Sequence, residues 1–268
     1  MSDTGTATTS AATTPTGLHV TSLADRPDLE PAMLSMESSW PAYIRPDPVL
    51  VDWAFERHAQ HQLVVLGDGT GGNEVVARAA SVPFAWDGDP GGLPDTGWDE
   101  ALRRCMTDTY AGGELSTLCA LEIAVIPGRR SQNLSGRTLR ALADHGRRSG
   151  FRDIVVPVRP SLKHDQPQLP MDDYVALTRP DGLPHDPWLR VHVRAGGQLL
   201  KVCPASMTIS GSLAQWRGWT GLPFDVSGTV EVPGALAPVV VSVERDYAVY
   251  VEPNVWVRHR LSADTAQP

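Results

Sequence analysis

The stretch Leu118–Pro160 reads L-C-A-L-E-I-A-V-I-P-G-R-R-S-Q-N-L-S-G-R-T-L-R-A-L-A-D-H-G-R-R-S-G-F-R-D-I-V-V-P-V-R-P. It opens with an apolar strand that ends at Pro127, a residue with no N–H to give to a ladder. A short basic and polar turn follows, and the pattern predicts a helix from Gln132 to Ser149. Leu139, Leu142, Ala143 and Gly146 recur at helical spacing and form its buried stripe. Gly150 closes the helix, and Ile154–Val158 is a second apolar strand. The unit is therefore strand, turn, helix, strand. A helix start presents unsatisfied N–H groups and the positive end of a dipole, so the turn suits a phosphate.

This arrangement resembles the donor-binding core of the GNAT superfamily of acyltransferases. In that family a splayed strand ends in V-x-P, and a turn of pattern [Q/R]-x-x-G-x-[G/A] wraps the pyrophosphate of acyl-CoA. Here Val125-Ile126-Pro127 supplies V-x-P. Arg130 falls on the first turn position, Asn133 on the first glycine and Ser135 on the last small residue. Both glycine positions are thus occupied by other residues. Asn tolerates left-handed backbone angles better than most side chains.

Composition sets outer bounds. The 268 residues carry 41% hydrophobic and 20% charged side chains, enough for a buried core in a globular chain. The net charge of −8 argues against non-specific nucleic-acid binding. No apolar run approaches the length of a membrane span. Cys105, Cys119 and Cys203 are odd in number and widely spaced, with neither zinc-ligand spacing nor a disulfide framework. A reducing, cytoplasmic setting is expected. The residues show no metal constellation and no Ser-His-Asp spacing.

Taken in order, residues 1–17 read as a disordered tail without the features of a signal peptide. Leu18–Leu23 is a short strand. Asp28–Trp40 and Pro46–Gln60 read as helices, the first capped by Asp28. Gln62–Leu66 and Val75–Ala79 are strands joined by the Gly-rich turn 67–73, a hairpin connection and not a phosphate cradle. Trp98–Tyr110 is a helix inserted relative to a minimal core of the family; it folds over the cleft or covers a sheet edge. After Pro160, Met171–Arg179 reads as a short helix. Trp188–Arg194 alternates and reads as a strand, with His192 at its centre as a structural histidine. Leu199–Val202 is a strand, Ser212–Thr220 a helix, and Val239–Val243 with Ala248–Val251 an antiparallel pair that Asn254–His259 extends. Residues 262–268 are a loose tail.

The expected fold is α/β: a GNAT-like mixed, mostly antiparallel sheet flanked by helices, with an enlarged C-terminal half. Residues 18–160 form the donor-binding core, and 161–261 complete the same domain and its acceptor cleft. The segments D-P-W-L-R-V-H-V-R and Y-V-E-P-N-V-W-V-R-H resemble a group of larger GNAT-like proteins with such an extended half.

What the resemblance implies is direct attack of an amine on a thioester, with an acyl-CoA or acyl-phosphopantetheine cosubstrate and no metal. The pantetheine arm would lie along Ala124, Val125 and Ile126. Arg130, Ser131, Gln132, Asn133, Leu134, Ser135 and Gly136 would contact the phosphates. Glu122 is the carboxylate inside the first strand and the candidate base, although alternation places it opposite Leu121 and Ile123. Tyr174 follows the second strand, where many relatives place a tyrosine acid, but the usual N-x-x-A-x-x-x-Y spacing is absent. Trp40 and Tyr43 are candidate acceptor contacts, with core packing as the competing reading. Trp188, Glu252 and Trp256 either shape the acceptor pocket or pack the extended sheet.

Eight arginines against two acids between Arg129 and Arg159 give a local charge of +6. Arg137, Arg140 and Arg147 lie opposite the buried helix stripe, beside the expected entrance of the arm. They would suit an acidic acyl carrier protein, whose arm has one phosphodiester and no pyrophosphate. The expected partners are a small-molecule amine and such a carrier, with no nucleic acid and no membrane. The rival reading is a GNAT fold that has lost catalysis and only binds a ligand or partner.

Overall fold

The structure, a computed structural model, describes residues 18–37, 40–67 and 74–261, with the side chains of residues 130–132 set aside. The expected tails and most of the Gly-rich turn lie outside the described residues.

Among the described residues nine strands form one sheet: β1 (His19–Ser22), β2 (Leu63–Gly67), β3 (Glu74–Phe84), β4 (Thr117–Val125), β5 (Asp153–Val158), β6 (Gln198–Gly211), β7 (Gly228–Val230), β8 (Val239–Ser242) and β9 (Tyr247–Arg260). Their order is β1-β2-β3-β4-β5-β9-β8-β7, and β6 also pairs with β9. The β4–β5 pair is parallel and the other pairings are antiparallel. The helices are α1 (Glu30–Leu34), α2 (Pro48–Arg57), α3 (Gly97–Ala111), α4 (Leu134–Arg148), α5 (Met171–Val175), α6 (Pro187–Arg194) and α7 (Leu213–Thr220). The fold is the expected mixed, mostly antiparallel sheet flanked by helices.

Two halves of the chain meet along β9. Its Val255–Arg260 half pairs with β5, while its first residues pair with β8. β6 runs beside it almost throughout, with register shifts at Leu199/Lys201 and Cys203/Met207. The largest apolar cluster spans both halves, joining Phe84, Trp98, Leu102, Trp216, Tyr250 and Trp256. The three cysteines are free and buried there, and burial pushes the Cys105 and Cys203 thiols up to about 12. They act as small apolar side chains, as expected of Cys119.

α4 follows the sequence pattern. Leu139, Leu142 and Gly146 are buried, and Arg137, Arg140 and Arg147 are exposed. Leu142 packs with Leu118, Ile154 and Phe151, so truncating it to Ala should cost about 2–5 kcal/mol. The helix starts two residues later than expected. Pro127–Gln132 forms a 3-10 turn, and Asn133 takes left-handed angles (φ 53°, ψ 30°) before α4 begins.

Other expectations change. Trp188–Arg194 is α6 and not a strand. Asp186 accepts hydrogen bonds from Trp188 N (2.8 Å) and Leu189 N (3.0 Å), and Pro187 sits in the first turn. This Asp-Pro helix start overrides an alternation carried by only a few residues. The helix expected over Asp28–Trp40 is a 3-10 turn (Pro27–Leu29) followed by the single turn α1, and Asp28 pairs with Arg26 instead of capping. α3 packs on both β3 and β6.

Candidate active site

β4 and β5 share a ladder only from Thr117–Cys119 to Asp153–Val155. Beyond it, β4 runs on to Val125 with β3 partners alone, and β5 turns with β9. A bulge helps to part them. The β3–β4 register shifts between Ala80 and Ser81, opposite Glu122 and Ala120, so Leu121 is the extra residue. The Leu121 carbonyl accepts a hydrogen bond from Trp98 Nε1 at 3.0 Å. The strands open onto a cavity of about 680 Å³.

One wall of this cavity is Ala120–Val125, and the facing wall is Val156–Arg159. α6 contributes Trp188, Val191 and His192, while Trp98, Met207, Glu252 and Asn254 close the remaining side. Glu37, Trp40 and Ser135 also line it. Apolar walls with a few placed polar groups are the usual make-up of a small-molecule site.

The polar groups are mostly committed. Glu122 is paired with Arg78 at 2.7 Å, both side chains 12% exposed, and Arg78 also donates to the Met33 carbonyl at 2.7 Å. Glu252 is fully buried and accepts from Arg159 Nε (3.0 Å), Tyr250 Oη (3.0 Å) and Asn254 Nδ2 (3.2 Å). Arg159 also donates to the Gly234 carbonyl. Burial works against the Arg159 charge, but the adjacent Glu252 more than offsets it and the guanidinium is held above its ordinary value.

The sequence-based site residues divide accordingly. Glu122, Ala124 and Val125 line the cavity, as do Trp40 and Ser135. Trp40 meets Trp98 edge-on at 5.6 Å. Ile126 and Leu134 pack together in a neighbouring apolar cluster. Gly136 is buried at the turn, where an added Cβ would stand 2.8 Å from Asn133 Oδ1. The side chains of Arg130, Ser131 and Gln132 are outside the description.

Tyr43 and Tyr174 are not part of the lining. Tyr43 is buried between Trp216 and Tyr250 and donates to the Pro233 carbonyl at 3.3 Å. Tyr174 is buried below α6 and donates to Asp186 Oδ2 at 3.0 Å. Burial and then Asp186 push its phenol up. Trp256 belongs to the core, donating Nε1 to Pro94, whereas Trp188 and Glu252 do reach the cavity.

The basic segment also resolves into separate pairs. Arg129 meets Glu74, Arg147 meets Asp144, Arg152 meets Glu114, Arg159 meets Glu252, and Asp153 meets Arg258. Glu37, Trp98 and His192 were missed as lining residues, and Arg78 as the partner of Glu122. An Arg in an apolar strand was the available signal for Arg78, and the Asp-Pro helix start for His192.

No protein-family model matches the chain. It is 36% identical to the arginine N-acetyltransferase avaD of Aspergillus versicolor over 281 aligned positions, covering 92% of this chain and 95% of that protein. Two of the solved structures that match the chain show the shared fold. The loading GNATL domain of CurA from Lyngbya majuscula matches with a TM-score of 0.55 and 16% identity, over 91% of this chain and 97% of that one. A GphF GNAT-like decarboxylase in complex with isobutyryl-CoA matches with a TM-score of 0.53 and 16% identity, over 92% of this chain and 100% of that one. Among the described residues no group of three or more His, Cys, Asp or Glu side chains could hold a metal ion, and no helix is long and apolar enough to cross a membrane. The splayed strands, the turn before α4 and near-full-length identity to an N-acetyltransferase make this chain a member of the GNAT superfamily, an amine N-acyltransferase.

Proposed function

We propose that the cavity between β4 and β5 transfers an acyl group from acyl-CoA to an amine of a cationic small molecule, arginine or a compound like it. The observation that carries this reading is the loss of β4–β5 pairing beyond Cys119. It leaves the edge of Ala120–Val125 facing a cavity, where the amides of a pantetheine arm can replace the missing strand. The arm then runs along Ala124, Val125 and Ile126. Its phosphates reach the turn from Arg130 to Gly136, where the first amides of α4 lack intrahelical acceptors.

Glu37 is a carboxylate on the cavity lining, and Trp40, Trp98 and Trp188 supply indole surfaces. Such a wall favours a cation over a neutral amine. The relative named above acts on arginine, and its near-full-length identity supports the same acceptor class here. Catalysis then rests on positioning: amine and thioester carbonyl are held together in one cavity. Glu122 keeps β4 in place through Arg78 and sits beside the reacting groups.

A carrier-protein thioester is the second reading of the donor. Arg137 and Arg140 are exposed on α4, beside a turn whose glycine positions hold Asn133 and Ser135. Calorimetric titration with acetyl-CoA, combined with thiol release over an amine panel that includes arginine, tests the proposal. The same acyl group on a carrier protein separates the donors. Absence of both binding and thiol release with every pantetheine donor would overturn the transferase reading.

A further inference from the structure

His192 lies on α6 in the cavity lining and is fully buried. Its Nδ1 is 3.0 Å from His259 Nε2 on β9. Its Nε2 has no hydrogen-bond partner among the described residues. Two proton orders satisfy this contact: either His259 Nε2–H donates, or His192 Nδ1–H donates and His192 Nε2 keeps a lone pair. The dyad has a fixed back wall: at Gly197 a Cβ would stand 2.8 Å from His259 Cε1 and 2.7 Å from the His192 carbonyl.

We propose that His192 Nε2 accepts the proton that N-acylation releases, and that His259 relays it outward. This inference rests on the amine N-acyltransferase reading above. The proton count is fixed by the reaction. An ammonium acceptor brings three N–H bonds; the amide keeps one, the thiol leaving group takes one, and one proton must leave the site. In the relay an N–H bond of the reacting amine breaks as Nε2–H of His192 forms. The Nδ1–H bond of His192 then breaks as Nε2–H of His259 forms, and the Nδ1–H bond of His259, a ring that is 7% exposed, breaks as its proton passes to water. The electron pairs stay on the nitrogens, and no oxidant or other reactant is needed.

Burial pushes the His192 imidazole down to about 3, so the ring is neutral and its lone pair present through the working range. The same burial disfavours a lasting imidazolium there, which makes the ring a conduit and not a store. His259 faces it from β9, burial lowers it too, and it is the more exposed of the two rings. Across the cavity the titratable neighbours are the exposed Glu37, Glu122 with Arg78, Glu252 with Arg159, and His164. Glu122 and Glu252 are held in ion pairs, whereas Nε2 of His192 has no partner among the described residues.

The test uses the full chain with acetyl-CoA and arginine. His192→Gln retains an acceptor oxygen but takes no proton, and should lower kcat by about a hundredfold or more while the arginine KM stays within about threefold. His259→Gln still accepts from His192 but blocks the relay, and should lower kcat by about tenfold with both KM values kept. Nitrogen-15 NMR of the free protein should show His192 protonated at Nδ1 and unprotonated at Nε2. The opposite tautomer, or a His192→Gln chain with near wild-type kcat, overturns the relay alone. A wild-type chain that releases no thiol overturns both the relay and the reading beneath it. If His192→Gln does not fold, His259→Gln and the tautomer measurement decide.

Discussion

The Arg78 guanidinium meets the Glu122 carboxylate at 2.7 Å, diagonally across the β3–β4 ladder and beside the bulge at Leu121. The pair is largely buried, and Arg78 also ties β3 to the end of α1 through the Met33 carbonyl. Glu122→Gln keeps the shape and removes the charge. It should cost about 1–3 kcal/mol of stability, the range for weakening a charge-assisted hydrogen bond, and change kcat by less than about tenfold. Urea unfolding and initial rates measure both. A fall of about two to four orders of magnitude in kcat at unchanged stability would instead make Glu122 the base.

Tyr174 offers a complementary case. Its hydroxyl is held by Asp186, which also accepts from Leu162 N and from the first amides of α6. Tyr174→Phe should destabilise the fold by about 1–3 kcal/mol, the range for a hydrogen bond to a charged group. The rate of thiol release should stay within about twofold of wild type. A hundredfold loss of kcat in a stable variant would return Tyr174 to the role of leaving-group acid.

Stability should depend on pH through buried histidines. Burial pushes His61 and His192 down to about 3, and lowers His58, His145 and His259 as well. In the unfolded chain these groups titrate near 6.5. Below that pH the unfolded chain binds protons that the native state refuses. Their contribution is therefore complete above about pH 6.5 and is lost as pH falls toward 3. Between pH 7.5 and 5.5 the His61 and His192 pair alone should remove about 2–3 kcal/mol. Chemical denaturation at the two pH values checks this, and His61→Gln should flatten the slope. A flat profile in the wild type would show that these rings take up protons without unfolding.

The donor turn can be tested without knowledge of the acceptor. Arg130→Ala should weaken acetyl-CoA binding by about 1–3 kcal/mol, mainly through the donor KM. Reversing Arg140 to Glu should leave acetyl-CoA turnover unchanged and depress turnover of a carrier-bound acyl group, if that donor is used at all. Unchanged donor affinity in Arg130→Ala would remove that residue from the site.

Several elements were legible because their cause is local. The stripe Leu139, Leu142 and Gly146 states its own burial, and Ser212 with Gln215 forms a reciprocal capping box at α7. α6 was misread for the opposite reason: Leu189, Val191 and Val193 alternate with polar residues, yet Asp186 and Pro187 set the backbone before alternation can act. Periodicity also misjudged Glu122. A single inserted residue at Leu121 shifts the strand register, and no pattern in β4 announces it.

By itself the sequence determined the strand-turn-helix-strand unit, the V-x-P stop at Pro127, the arginine face of α4 and hence the acyltransferase fold, all properties of neighbouring residues. Only the tertiary structure decided which polar groups are committed and which are offered to the cavity. Arg159 finds Glu252 from 93 positions away, Arg78 finds Glu122 from 44, and His192 finds His259 from 67. Those meetings depend on which strands lie side by side and where β4 and β5 part. That parting is a property of the assembled sheet, because a strand leaves its neighbour only when a bulge on one side and β9 on the other give both strands somewhere else to pair.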